Sequence, residues 1–72
     1  MNCFQRDGYA TEAVARLVAW AFSHHDVNEV CAETLPHLTQ SIRVLEKNGF
    51  EFTGAGSETG VIRYAIRRSN LN

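Results

Sequence analysis

Gln5, Arg6, Asp7, Gly8, Tyr9 and Ala10 stand directly ahead of a run of residues with helical apolar spacing. The first turn of a helix carries unpaired backbone N–H groups and about half a positive charge. A glycine just before that turn lets a ligand approach the backbone closely. Arg6 adds a permanent cation. Together these residues suit an anion, above all a phosphate or pyrophosphate. The alternative is a plain turn into a helix. No GKS or GKT follows and no strand visibly precedes, so the segment is neither a Walker loop nor a dinucleotide fingerprint.

Glu33 is the second residue with chemical promise. It lies in a segment that alternates Val30, Ala32 and Thr34 with Glu29, Cys31 and Glu33, the period of a strand over residues 27–35. Glu33 therefore shares a face with Cys31 and Glu29. A carboxylate beside an apolar cleft has a raised pKa and can take a proton from an amine, directly or through water. The plainer reading is a surface glutamate on a strand. His37 is a further candidate base, with an intrinsic pKa near neutrality. His24 and His25 end a helix, where positive charge is favoured, and read as capping residues. Cys3 and Cys31 have no CxxC spacing and read as two reduced thiols. No metal is expected.

These residues need elements to hold them. Ala10, Ala13, Val14, Leu17, Val18, Ala21 and Phe22 recur at three- and four-residue steps, which predicts a helix over residues 9–25 with a wide apolar face. The strand over 27–35 follows and stops at Pro36. Thr39 is placed to cap a second helix, striped by Ile42, Val44 and Leu45 and ended by Asn48-Gly49. "FEFT" and "VIRYAIR" read as strands around the loop "GAGSETG". The order is helix, strand, helix, strand, strand. The strands on either side of the second helix can run parallel, with the last one returning antiparallel between or beside them. The fold class is α+β, with a small three-stranded mixed sheet and two helices.

The 72 residues allow one domain at most, and 44% hydrophobic with 21% charged residues is an ordinary globular composition. A chain this small buries only about 60% of the surface it exposes when unfolded. A net charge of -1 lacks the basic stripe of a nucleic-acid binder. No apolar run approaches the roughly 18 residues of a membrane span, and no signal-peptide pattern is visible. A cytoplasmic location is the expectation.

The segment Gln5 to Ala10 resembles the Q/R-x-x-G-x-G/A motif of the GNAT N-acetyltransferases. "GYATEAV" is similar to the form found in the branch that acetylates ribosomal proteins. Ser41, Arg43, Val44, Leu45, Glu46, Lys47, Gly49 and Phe50 resemble that branch's second motif, at the usual distance from the first. The resemblance runs from Gln5 to Arg68. It implies acetyl transfer from acetyl-CoA to an amine. By the same resemblance Gln5, Arg6, Asp7, Gly8, Tyr9, Ala10 and Thr11 would hold the CoA pyrophosphate, with pantetheine between two splayed parallel strands and Ser41 at a CoA contact. Arg43 and Lys47 either face the nucleotide phosphates or form a solvated helix face. In one branch a glutamate at the place of Glu33 is the base. The chain departs from the family where Leu38 replaces an asparagine and Leu45 a tyrosine that acts as general acid.

The family domain is about twice this length. The resemblance therefore makes residues 1–72 the C-terminal, cofactor-binding half, without the N-terminal half. On that expectation one edge of the 27–35 strand is bare, and Val14, Leu17, Val18 and Trp20 are partly open. An open edge and an open apolar face favour self-association as a homodimer. The rival reading is a non-catalytic fragment that only binds CoA or associates with itself.

Overall fold

The computed structural model describes residues 3–5 and 8–70. Helix α1 spans Thr11–Phe22. It buries Val14, Val18 and Ala21, which the helical repeat stacks along one face. The following turn is closed from the far end of the chain. Arg68 donates through Nη2 to the carbonyl of His24 at 2.7 Å and through Nε to that of Val27 at 3.0 Å. Its guanidinium lies 5.0 Å above the Phe22 ring. Arg68, rather than the two histidines, satisfies these carbonyls.

Strand β2 is Glu29–Thr34 and helix α2 is Thr39–Lys47. The N-cap of α2 is Leu38, and no side chain caps it, so Thr39 does not take the expected capping role. The C-terminus of α2 does follow the sequence. Gly49 has φ +90°, its N–H donates to the carbonyl of Glu46 at 3.0 Å, and that of Phe50 donates to Leu45 at 3.0 Å. This pair of bonds is the Schellman arrangement, which needs a residue tolerant of left-handed backbone. Strands β3 (Glu51–Ala55) and β4 (Ile62–Arg67) then form a hairpin, and a short 3-10 turn covers Arg68–Asn70.

The returning strand does insert between the other two. β4 is antiparallel to both β2 and β3, so those two point the same way. The sheet also has a fourth strand that periodicity does not reveal. β1, Phe4–Gln5, runs parallel to β2, with Phe4 opposite Ala32 and Gln5 opposite Glu33. Two residues are too few to show alternation. The sheet order is β1-β2-β4-β3. The edge of β2 is therefore covered at Ala32 and Glu33 instead of being bare along its whole length.

The core joins Val14, Val18 and Ala21 of α1 to Leu45 of α2, Val30 and Ala32 of β2, Phe50, and Tyr64 and Ile66 of β4. Leu45 and Ile66 are fully enclosed, and each contributes roughly 1.5–3 kcal/mol. Val14 and Val18 are buried, against the expectation that they stay partly open. Leu17 is half-buried, and Trp20 keeps 62% of its surface in solvent.

The two cysteines are also not free thiols. Cys3 and Cys31 form a disulfide, with their Cα atoms 4.7 Å apart. The parallel register explains it: Phe4 pairs with Ala32, so the preceding residue of each strand falls side by side. The bond closes a loop across 28 positions of sequence. Chain entropy assigns such a link about 3–4 kcal/mol of stability. A thiol reductant should therefore lower the urea midpoint clearly, with little effect on a Cys3→Ser, Cys31→Ser variant. Equal midpoints for the oxidised and reduced protein would show that the link does not constrain the unfolded chain.

Candidate functional site

Among the described residues no side chain caps the N-terminus of α1. Ala10 is its N-cap, with extended backbone and no side-chain capping bond. Its carbonyl accepts from Val14 N at 3.0 Å, which starts the helical ladder. The first-turn N–H groups lie outside that ladder, as in any helix. Glu12 is in this turn, but its carboxylate is exposed and engaged by Arg16 Nη2 at 2.8 Å. Gly8 is exposed. A Cβ there would meet no described atom within 4 Å. The described residues thus leave room for a side chain at this position.

The residues flanking Gly8 are tied to β2. The Tyr9 hydroxyl lies 2.9 Å from the carbonyl oxygen of Phe4 and 3.0 Å from that of Glu33, and its proton serves one of them at a time. Gln5 turns its side chain to Glu33, donating from Nε2 to Oε1 at 2.7 Å. Gln5 is therefore a ligand of Glu33.

Glu33 is not a surface glutamate, and its pKa is lowered rather than raised. Only 2% of it is exposed. Besides Gln5, its Oε1 accepts from Ser57 Oγ at 2.8 Å. Its Oε2 accepts from Ser57 N at 2.9 Å and from Arg63 Nε and Nη2 at 3.2 and 3.1 Å. The Ser57 hydroxyl does most to hold the carboxyl at about 2, against an ordinary 4.5; burial opposes it, and Gln5, the Ser57 amide and Arg63 assist. The expectation of a raised pKa assumed an apolar cleft, whereas the hairpin loop brings donors. Gly56 makes that approach possible. A Cβ there would lie 2.6 Å from Val61 Cγ1 and 3.2 Å from the Glu33 carboxyl carbon.

The other sequence candidates are dispersed. Arg6 and Asp7 lie outside the described residues. Thr11 is exposed, and its carbonyl accepts from Asn48 Nδ2 at 3.3 Å. Ser41 is buried in α2, while His37, Arg43 and Lys47 are exposed. Leu45, at the place of the family tyrosine, is a core residue. Among the described residues no three His, Cys, Asp or Glu side chains gather as a metal site, and no helix is long and apolar enough to cross a membrane. Sequence reading missed Ser57, Arg63 and Thr34. A Glu33–Arg63 cross-strand pair could have been sought once the β2–β4 register was assumed. Nothing in "GAGSETG" points Ser57 at a residue 24 positions earlier. Thr34 Oγ1 is buried and has no hydrogen-bond partner among the described residues.

A lowered native pKa makes Glu33 stabilising above its unfolded value, and that stability is lost as pH falls through the native one. The unfolding midpoint should therefore drop between about pH 4.5 and about pH 2. Glu33→Gln should cost about 2 kcal/mol at pH 7, because the Ser57 amide and Arg63 lose a charged acceptor, and should flatten that acid dependence. Urea melts across this range check it. A variant with the wild-type acid slope would mean that other carboxyls carry the transition.

Comparison with family models matches residues 1–51 to the acetyltransferase (GNAT) domain. Comparison with curated proteins returns no significant match, and comparison with solved structures returns none. The matched stretch covers well over half of the 72 residues, including the Gly8 turn, Glu33 and Ser41. This chain belongs to the GNAT acetyltransferase family.

Proposed function

We propose that the chain binds acetyl-CoA and serves acetyl transfer to a primary amine, either a protein N-terminus or a small amine. It would act as the C-terminal, cofactor-binding half of a domain like those of the ribosomal-protein acetyltransferases. Family membership supports the reaction class. The observation that carries the cofactor is the start of α1 directly behind Gly8, which no described side chain caps and where a Cβ on Gly8 would meet no described atom within 4 Å. Thr34 Oγ1, which has no partner among the described residues, adds a second sign of fit, since a buried hydroxyl left unpaired costs about 1–3 kcal/mol until something pairs with it. Gly8, Tyr9, Ala10 and Thr11 would receive the pyrophosphate through backbone N–H groups, with Arg6 and Asp7 in the same motif. Thr34, at the end of β2, would meet the pantetheine arm. Ser41, already enclosed in α2, would contribute through its place beside that arm.

Transfer would be direct. A neutral amine attacks the thioester carbonyl, a C–N bond forms, the C–S bond breaks, and the thiolate leaves as the amine proton passes to water. Backbone amides would polarise the carbonyl. Glu33 suits the role of base poorly, because a carboxyl with a pKa of about 2 has little affinity for an ammonium proton. A cytoplasmic setting, the location proposed here, would keep Cys3 and Cys31 reduced, so the site would work there without the disulfide.

Self-association is part of the proposal. Trp20 and Phe4 are exposed by 62% and 36%, and Ala13 and Leu17 continue their surface along α1. A second copy would shield this face. Sedimentation should show a concentration-dependent dimer that Trp20→Ser weakens. A monomer at high micromolar concentration would remove the dimer from the proposal.

Calorimetry with acetyl-CoA tests the cofactor. Gly8→Val should lower affinity by about tenfold or more, equivalent to about 1.4 kcal/mol, with an unchanged melting midpoint. Thr34→Val should weaken binding and slightly stabilise the free protein, by removing the orphaned hydroxyl. Wild-type affinity in both variants would end the cradle assignment.

A further inference from the structure

Residue 33 touches the segment entering α1 from both sides of Gly8. Ahead of the turn, its carboxylate accepts from Gln5 Nε2 at 2.7 Å. Behind the turn, its main-chain oxygen lies 3.0 Å from the Tyr9 hydroxyl. The same carboxylate is held from the opposite direction by Ser57 of the β3–β4 loop and by Arg63 of β4. One buried charge is therefore shared by the hairpin loop, β4 and the approach to α1. A general base needs a lone pair free to face its substrate, and this carboxylate already accepts five hydrogen bonds.

We propose that Glu33 is a positioning residue: it clamps the two flanks of the Gly8 turn, through Gln5 and Tyr9, and couples that turn to the β3–β4 loop through Ser57. The role deepens the cofactor reading above and rests on it for its effect on affinity. The geometry has a chemical logic. Backbone N–H groups bind an anion well only when they are held in place beforehand, because ordering them on binding consumes affinity. Gly8 lacks a Cβ and brings no packing of its own, so neighbouring residues must supply that order. Ser57 extends the effect, since a displacement of the hairpin loop removes two of the five donors together.

The test has two readouts on the intact chain. Backbone 15N order parameters at Gly8, Tyr9 and Ala10 report the clamp directly. Glu33→Gln and Tyr9→Phe should each lower them from about 0.85 toward 0.6, while Val30 and Ile66 keep rigid values. Acetyl-CoA calorimetry reports the consequence. Each variant should bind about tenfold more weakly. Gln5→Ala combined with Glu33→Gln should bind no more weakly than Glu33→Gln alone, since the two act along one path. Tyr9→Phe removes only a hydroxyl and keeps the experiment decisive if Glu33→Gln fails to fold. Unchanged order parameters at Gly8 in the folded variants would overturn the clamp, whatever the cofactor does. Lowered order parameters in a protein whose wild type binds no acetyl-CoA would uphold the clamp and overturn the cofactor reading instead.

Discussion

A single buried carboxylate organises one end of this molecule. Glu33 sits at the end of β2 with almost no solvent contact, and burying an ion without partners would cost several kcal/mol. Its charge is tolerable because three separate stretches of chain each bring donors to it. Gln5 comes from β1, Ser57 from the hairpin loop and Arg63 from β4. The dependence is mutual. Without the carboxylate, the loop carrying Ser57 has less reason to fold inward, and Gly56 exists at its position to permit that fold.

The parallel pairing of β1 with β2 rests on the same neighbourhood. Two residues of ladder alone are a weak attachment. The Cys3–Cys31 bond fastens the strand on one side, and the Tyr9 hydroxyl and the Gln5–Glu33 bond fasten it on the other. Gln5 and Tyr9, which make two of these ties, stand on either side of Gly8 in the sequence.

The α1 helix divides its apolar residues between two duties. Val14, Val18 and Ala21 enter the core, while Ala13, Leu17 and Trp20 form a second stripe that the described residues leave largely open. The Trp20 ring stands at 82° to the His24 ring, with centroids 5.1 Å apart. A helix with so wide an apolar surface is built for cover on more than one side.

Local pattern was enough for the two helices, the three longer strands, the α2 terminus at Gly49 and the antiparallel return of β4. Each of these depends on residues near one another in sequence, where a helical or strand period or a turn glycine leaves a direct mark. The side assigned to Glu33 was also legible, because alternation fixes faces. Its chemistry was not. Whether a carboxylate is raised or lowered in pKa depends on which atoms surround it, and here the decisive ones come from Gln5, Ser57 and Arg63, 24 to 30 positions away. The disulfide was invisible for the same reason: Cys3 and Cys31 meet only through the register of a strand two residues long. Proximity across the sheet, which no local period encodes, gave a strand carboxylate five hydrogen-bond donations and joined two thiols in a link.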